Sequence, residues 1–126
     1  MQPRLPIYIV DDDPAALSSV TALLVSFAYQ VRAFRSAEEF LMSDVKTTPG
    51  CLLCDIRLDR MSGLELLNTL KMDHAQLPVI LISGYLDSDI VSEALANGAV
   101  AVLEKPLDPN ALIAHVQAAT EMFKQA

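Results

Sequence analysis

Long apolar runs are missing from this 126-residue chain. No segment approaches the roughly 20 consecutive apolar residues that a bilayer-spanning helix needs. The apolar run after Pro6 is short and ends in Asp11-Asp12-Asp13, so no secretion signal is expected. Cysteine is scarce, with 2 in all. Two cysteines without an export signal suggest a reducing, cytoplasmic setting, not a disulfide scaffold. Positive charge is short as well: 9 Lys and Arg against 16 Asp and Glu give a formal net charge of −7. That balance disfavours non-specific contact with nucleic acid or with an anionic membrane surface. Internal repeats, low-complexity tracts and a dividing linker are absent too. What is present is 52% hydrophobic and only 20% charged residues, the composition of one compact domain able to bury a sizeable core.

Four short apolar runs read as strands buried on both faces: Ile7–Val10, Cys51–Cys54, Val79–Ile82 and Val100–Leu103. A fifth, VRAFR from Val31, is more mixed and suits a sheet edge. Helical patterns fill the gaps. Pro14 is placed as a first-turn residue, followed by a stripe of Leu17, Val20, Leu23, Leu24 and Phe27. Ser36 and Glu39 have capping-box spacing for a short second helix. Ser62 can cap a third with Leu64, Leu67 and Leu70 inward. Asp87 can start a fourth that Asn97-Gly98 ends. A fifth begins near Asp108-Pro109 and carries Leu112, Val116 and Ala119. Five alternations of strand and helix, with right-handed crossovers, predict an α/β fold: a doubly wound (βα)5 parallel sheet.

In such folds the working site lies at the carboxyl ends of the strands. There the chain places Asp11 and Asp12, then Asp55, then Ser83-Gly84, then Glu104-Lys105-Pro106. Taken singly, each has an ordinary structural explanation: a helix cap, a turn or a solvated loop. Together at one edge they are harder to dismiss. Two carboxylates about 5 Å apart repel by roughly 3 kcal/mol at an effective dielectric of 20. Lys105 cannot neutralise three of them, and a hard divalent ion with oxygen ligands can, Mg²⁺ being the natural choice. Mg²⁺, an aspartate, a hydroxyl and a lysine are also the parts that stabilise a phosphoryl group in transfer, with Asp55 as nucleophile.

The stretches IYIVDDDP, LLCDIRLDRMSGLELL, VILISGY and GAVAVLEKPLDP resemble the receiver domain of two-component response regulators, in particular its FixJ-like branch. The resemblance implies a flavodoxin-like five-stranded sheet of order 2-1-3-4-5 and a single receiver domain over 1–126, standing alone or as the N-terminal part of a longer regulator. It implies that Asp55 is the phosphoacceptor for a sensor histidine kinase, and that the domain catalyses its own phosphotransfer and autodephosphorylation. Asp11 and Asp12 match the Mg²⁺-binding pair, with Asp55 and the Arg57 backbone carbonyl as further ligands. Ser83 matches the switch hydroxyl, Lys105 the lysine that pairs with the phosphoryl group, and Pro106 a proline after a cis bond. The face made by the fourth helix, fifth strand and fifth helix is implied as the output surface, with homodimerisation through it on phosphorylation. No nucleic-acid contact by this segment is implied.

Two departures stand out. Where family members commonly have Met-Pro, this chain has Leu58-Asp59, so the loop after Asp55 is freer and gains a charge. Asp59 either faces solvent without effect, or the freer loop alters Mg²⁺ affinity or the lifetime of the phosphoryl group. Three residues before Lys105 the chain has Val102 in place of the usual aromatic, so no large ring is there to swing inward.

Rival chemistries fare worse. Cys51 and Cys54 sit three apart in a predicted strand, on opposite faces and about 10 Å apart, beyond the roughly 7 Å a disulfide tolerates. No second Cys or His pair completes a zinc site. His74 and His115 have no local metal or nucleophile partner. An aspartate-nucleophile hydrolase would share Asp55, Mg²⁺ and Lys105, but the chain has no insertion for a substrate cap. A module that only binds a partner is the third alternative.

Overall fold

The computed structural model describes residues 5–45, 48–73 and 75–124. His74 lies outside the described residues. In chain order the elements are β1 (Ile7–Val10), α1 (Pro14–Ser26), β2 (Val31–Phe34), α2 (Ala37–Met42), β3 (Cys51–Asp55), α3 (Gly63–Met72), β4 (Val79–Ser83), α4 (Ser88–Ala96), β5 (Ala101–Glu104) and α5 (Pro109–Lys124). All strand pairs are parallel, in the order β2-β1-β3-β4-β5. This is the expected doubly wound, flavodoxin-like arrangement.

Side chains alternate across each strand, so the apolar runs feed two cores. Ile7, Ile9, Cys51, Leu53, Ile80 and Ile82 face α1 and α5, meeting Leu24, Leu112, Val116 and Ala119. Tyr8, Val10, Leu52, Cys54 and Leu81 face α2, α3 and α4, meeting Phe40, Leu66, Leu70 and Ala94. The two cysteines therefore belong to different cores. Both are free and buried, and burial pushes the Cys51 thiol up to about 12 and raises Cys54 as well. Neither is a reactive thiolate.

Capping chemistry sets the helix starts. Asp13 Oδ1 accepts from the Ala15 N–H at 3.0 Å ahead of Pro14, and Asp87 Oδ1 accepts from Ile90 N–H at 2.8 Å. At α3 the capping box is complete: Ser62 Oγ accepts from Glu65 N–H while Glu65 Oε1 accepts from Ser62 N–H. At α2 the contact is the Ser36 half, accepting from Glu39 N–H at 3.0 Å.

Three expectations need correction. Phe27 is not on the α1 stripe: the helix ends at Ser26, and Phe27 is 41% exposed as its C-cap. The stop is made by Ala28 at φ 69, with Tyr29 N–H bonded back to Leu24 O. Gly98 does the same for α4 at φ 102, where the glycine announced it in sequence. In α3 the fully buried leucine is Leu66, and Leu64 is only partly covered. β5, at the sheet edge as the expected order requires, starts one residue later than expected and is not buried throughout: Val102 and Leu103 are half-buried and Glu104 exposed. An edge strand has a neighbour on one side only, so its cover is incomplete.

Candidate functional site

Register decides what meets at the carboxyl edge. Val10 pairs with Cys54 and Asp55 with Ile82, while Ser83 pairs with Glu104. Asp11 and Asp55 thus leave the sheet side by side, with Lys105 one residue past the partner of Ser83. All three of Asp11, Asp55 and Ser83 are buried. Lys105 Nζ lies 2.6 Å from Asp55 Oδ2 and 3.6 Å from Asp11 Oδ2. The other oxygens are held by backbone: Arg57 N–H donates to Asp55 Oδ1 and Asp13 N–H to Asp11 Oδ1, both at 2.9 Å. Pro106 follows a cis peptide bond, as expected.

One ammonium thus serves two buried carboxylates. Both reach it, so they lie within about 6 Å of each other and repel by about 3 kcal/mol at an effective dielectric of 20. The strain falls on Asp11. Burial raises its pKa, and the Asp13 N–H and the Lys105 charge do not fully offset that. Burial alone would lower Lys105, but the hydrogen bond and charge of Asp55, followed by Asp11, outweigh it and hold the lysine above its ordinary value.

A raised carboxylate pKa has a definite sign in stability. Between the ordinary aspartate value of 3.8 and its folded value, Asp11 binds its proton more tightly in the folded chain. Metal-free stability therefore falls as pH rises through that window, and the loss persists at pH 7. Asp11→Asn keeps an oxygen for the Asp13 N–H and removes the charge. It is expected to raise metal-free stability at neutral pH and to remove that fall. Urea denaturation at pH 4 and pH 7 measures it; a variant less stable than the parent at pH 7 contradicts the electrostatic reading.

Asp12 behaves differently from the expected cluster of three. Its pKa is raised first by burial, then by the charges of Asp59 and Asp11. Asp59, although exposed, therefore acts on Asp12 and is not an isolated surface charge. Among the described residues no three Asp, Glu, His or Cys side chains form a ready-made metal cage. The donor set still fits Mg²⁺, which takes one or two carboxylates with water and phosphate oxygens and needs no all-protein cage. Asp11 and Asp55 leave one uncompensated negative charge beside Lys105, and every donor is oxygen.

Ser83 Oγ donates to Tyr85 O at 2.7 Å and accepts from Tyr85 N–H at 3.1 Å. The hydroxyl is at the expected strand end, engaged with its own loop. Val102 is half-buried against the α2–α3–α4 core. His115 is exposed on α5. Sequence reasoning missed Glu38, whose Oε2 accepts from Met61 N–H in the loop after Asp55. A contact between residues 23 apart, from a helix to a loop, leaves no local pattern to find.

The family model described as the response regulator receiver domain matches residues 7–117. The chain is 40% identical over 118 residues to the transcriptional regulatory protein FixJ of Azorhizobium caulinodans, covering 94% of this chain and 56% of that protein. It is 35% identical over 119 residues to the transcriptional regulatory protein TdiR of Thauera aromatica, covering 94% and 52%. Among solved structures, that of FixJ-N superposes with a TM-score of 0.87 at 34% identity, over 96% of each chain. The chain spans about half the length of the curated relatives it matches.

Proposed function

The chain belongs to the response regulator receiver domain family of two-component systems, and on that footing we propose that Asp55 is its phosphoacceptor and a sensor histidine kinase its donor. Receiver domains are signalling domains that are phosphorylated on an aspartate and generally use Mg²⁺. One observation carries the assignment to Asp55. Its two oxygens are separately fixed, Oδ1 by the Arg57 N–H and Oδ2 by Lys105, at the end of a strand buried throughout.

In the proposed step a carboxylate oxygen of Asp55 forms a bond to phosphorus, and the phosphorus–nitrogen bond of a phosphohistidine breaks. The electron pair leaves with the imidazole, which takes a proton from solvent. No prior deprotonation of the nucleophile is needed. Lys105 transfers its contact to the phosphoryl oxygens. Ser83 gives up the Tyr85 carbonyl and donates to the phosphoryl group, moving the loop into α4. Asp11, Asp12, Asp55 and the Arg57 carbonyl would hold Mg²⁺, which when bound offsets the charge of the phosphoryl oxygens. In the slow autodephosphorylation water attacks the phosphorus, the bond to the Asp55 oxygen breaks, and inorganic phosphate leaves with Asp55 restored as the carboxylate.

The readout proposed is the α4–β5–α5 face, where Leu95 and Val100 are exposed, with homodimerisation there on phosphorylation. With Val102 in place of a large ring, Ser83 and α4 carry the change. A single receiver domain over 1–126, without direct nucleic-acid contact and in the cytoplasm, completes the reading. No described helix is long and apolar enough to cross a membrane.

Titration with Mg²⁺ plus beryllofluoride, a mimic of the phosphoryl group, tests this. One equivalent is expected to bind and to be released by a chelator, with no steady turnover of phosphate esters. Steady turnover would show a hydrolase. Failure to bind the mimic, with no phosphate uptake from any donor, would show a module that only binds a partner.

A further inference from the structure

Three backbone amides in the loop after Asp55 donate to carboxylates. Arg57 N–H donates to Asp55 Oδ1 at 2.9 Å, Met61 N–H to Glu38 Oε2 at 3.3 Å and Ser62 N–H to Glu65 Oε1 at 3.2 Å. Asp55 is the site itself, and Glu65 closes the α3 capping box. Glu38 comes from elsewhere, the first turn of α2. The loop ends are already tied by backbone: Ile56 N–H to Ile82 O at 2.8 Å, and Gly63 N–H to Ile56 O at 2.9 Å. Glu38 therefore grips what those ties leave free.

Hydrogen bonding alone does not account for this residue. Glu38 Oε1 is buried without a hydrogen-bond partner. The cost of such an oxygen is comparable to the return from the one charge-assisted bond at Oε2. What Glu38 does control is placement. It lines a cavity of about 190 Å³ together with Asp12, Leu58, Asp59 and Arg60, so the loop, one member of the acidic pair and α2 share one wall.

We infer that Glu38 is a positioning residue for the metal and phosphoacceptor site: its grip on Met61 keeps the Arg57–Met61 loop, and with it the Arg57 carbonyl and the Asp12–Asp59 pair, where a divalent cation is bound. This rests on the assignment of Asp12 and the Arg57 carbonyl as ligands.

Amide hydrogen exchange and calorimetric Mg²⁺ titration of the chain test it. In Glu38→Ala, exchange of the loop amides 57–61 is expected to quicken about tenfold and Mg²⁺ binding to weaken about tenfold, with β1 and β3 exchange unchanged. Glu38→Gln keeps an oxygen for the Met61 N–H and is expected to stay within about twofold on both measures. Glu38→Asp keeps the charge at the start of α2 but shortens the reach; it is expected to show the same loosening and weaker binding, and it replaces the alanine variant if that one does not fold. A loosened loop with Mg²⁺ affinity unchanged would make Glu38 a brace only and overturn the inference. An unchanged loop overturns it as well. If the unsubstituted chain binds no Mg²⁺, the ligand assignment falls and the inference with it, a result separable from the exchange arm.

Discussion

Asp55→Asn is expected to reduce phosphoryl incorporation to background without unfolding the chain. The substitution is nearly isosteric. Its amide oxygen can keep the Arg57 N–H bond now made by Oδ1, and Lys105 retains Asp11 at 3.6 Å as a partner. The lost element is the charged oxygen able to attack phosphorus, because an amide oxygen is a poor nucleophile. The measurement is intact mass after incubation with Mg²⁺ and a small phosphodonor, followed by hydroxylamine, which cleaves an acyl phosphate. The parent is expected to gain one phosphoryl group and lose it to hydroxylamine, while the variant gains none. Persistent labelling of the variant would move the acceptor to another residue. The nearby candidates are Asp11, buried beside it, and Asp12, beside Asp59. Mass mapping of the labelled peptide would tell Asp11 and Asp12 from any more distant acceptor.

The sheet was legible in the sequence because parallel strands covered on both faces must be apolar throughout, and the strand ends then name the site without further information. Asp11, Asp55, Ser83 and Lys105 all fell where that rule put them. Detail was lost where a contact is non-local or a backbone conformation lacks its usual residue. Ala28 stops α1 at positive φ with no glycine to signal it, so the apolar stripe in the sequence runs on into Phe27. The apolar run of β5 does not show that it is an edge strand; that follows from the sheet order, which the family resemblance implied. Three consecutive aspartates also looked alike in sequence, yet they divide their work. Asp11 shares Lys105 with Asp55, Asp12 lines a cavity with Asp59, and Asp13 caps α1. Spacing of one residue along an extended turn sends each to a different neighbour, and only the tertiary structure says which.

Gly63 supplies the second large effect, this time through space and not charge. A Cβ built on Gly63 would lie 2.5 Å from Asp55 O, 2.9 Å from Ile56 Cα and 3.1 Å from Asp55 C. These are backbone atoms at the end of β3, not the flexible tip of a side chain, so relief requires moving the strand that carries the phosphoacceptor. Ile56 is held on both sides, by Ile82 O and by Gly63 N–H itself, which leaves little slack. Gly63→Ala is therefore expected to cost about 3 kcal/mol, the upper end of overpacking effects, despite the better helix propensity of alanine in α3. It should lower the urea midpoint at an unchanged slope. It should also slow phosphoryl incorporation in whatever fraction stays folded, because the displaced carbonyl belongs to Asp55. Gly84→Ala is the control. Nothing lies within 4 Å of a Cβ there, so a change within about 0.5 kcal/mol is expected, as for surface substitutions that disturb no packing. If the two variants prove equally stable, the close approach of α3 to the end of β3 is not what requires glycine at position 63. The positioning of Asp55 must then come from its hydrogen bonds to Arg57 and Lys105 alone.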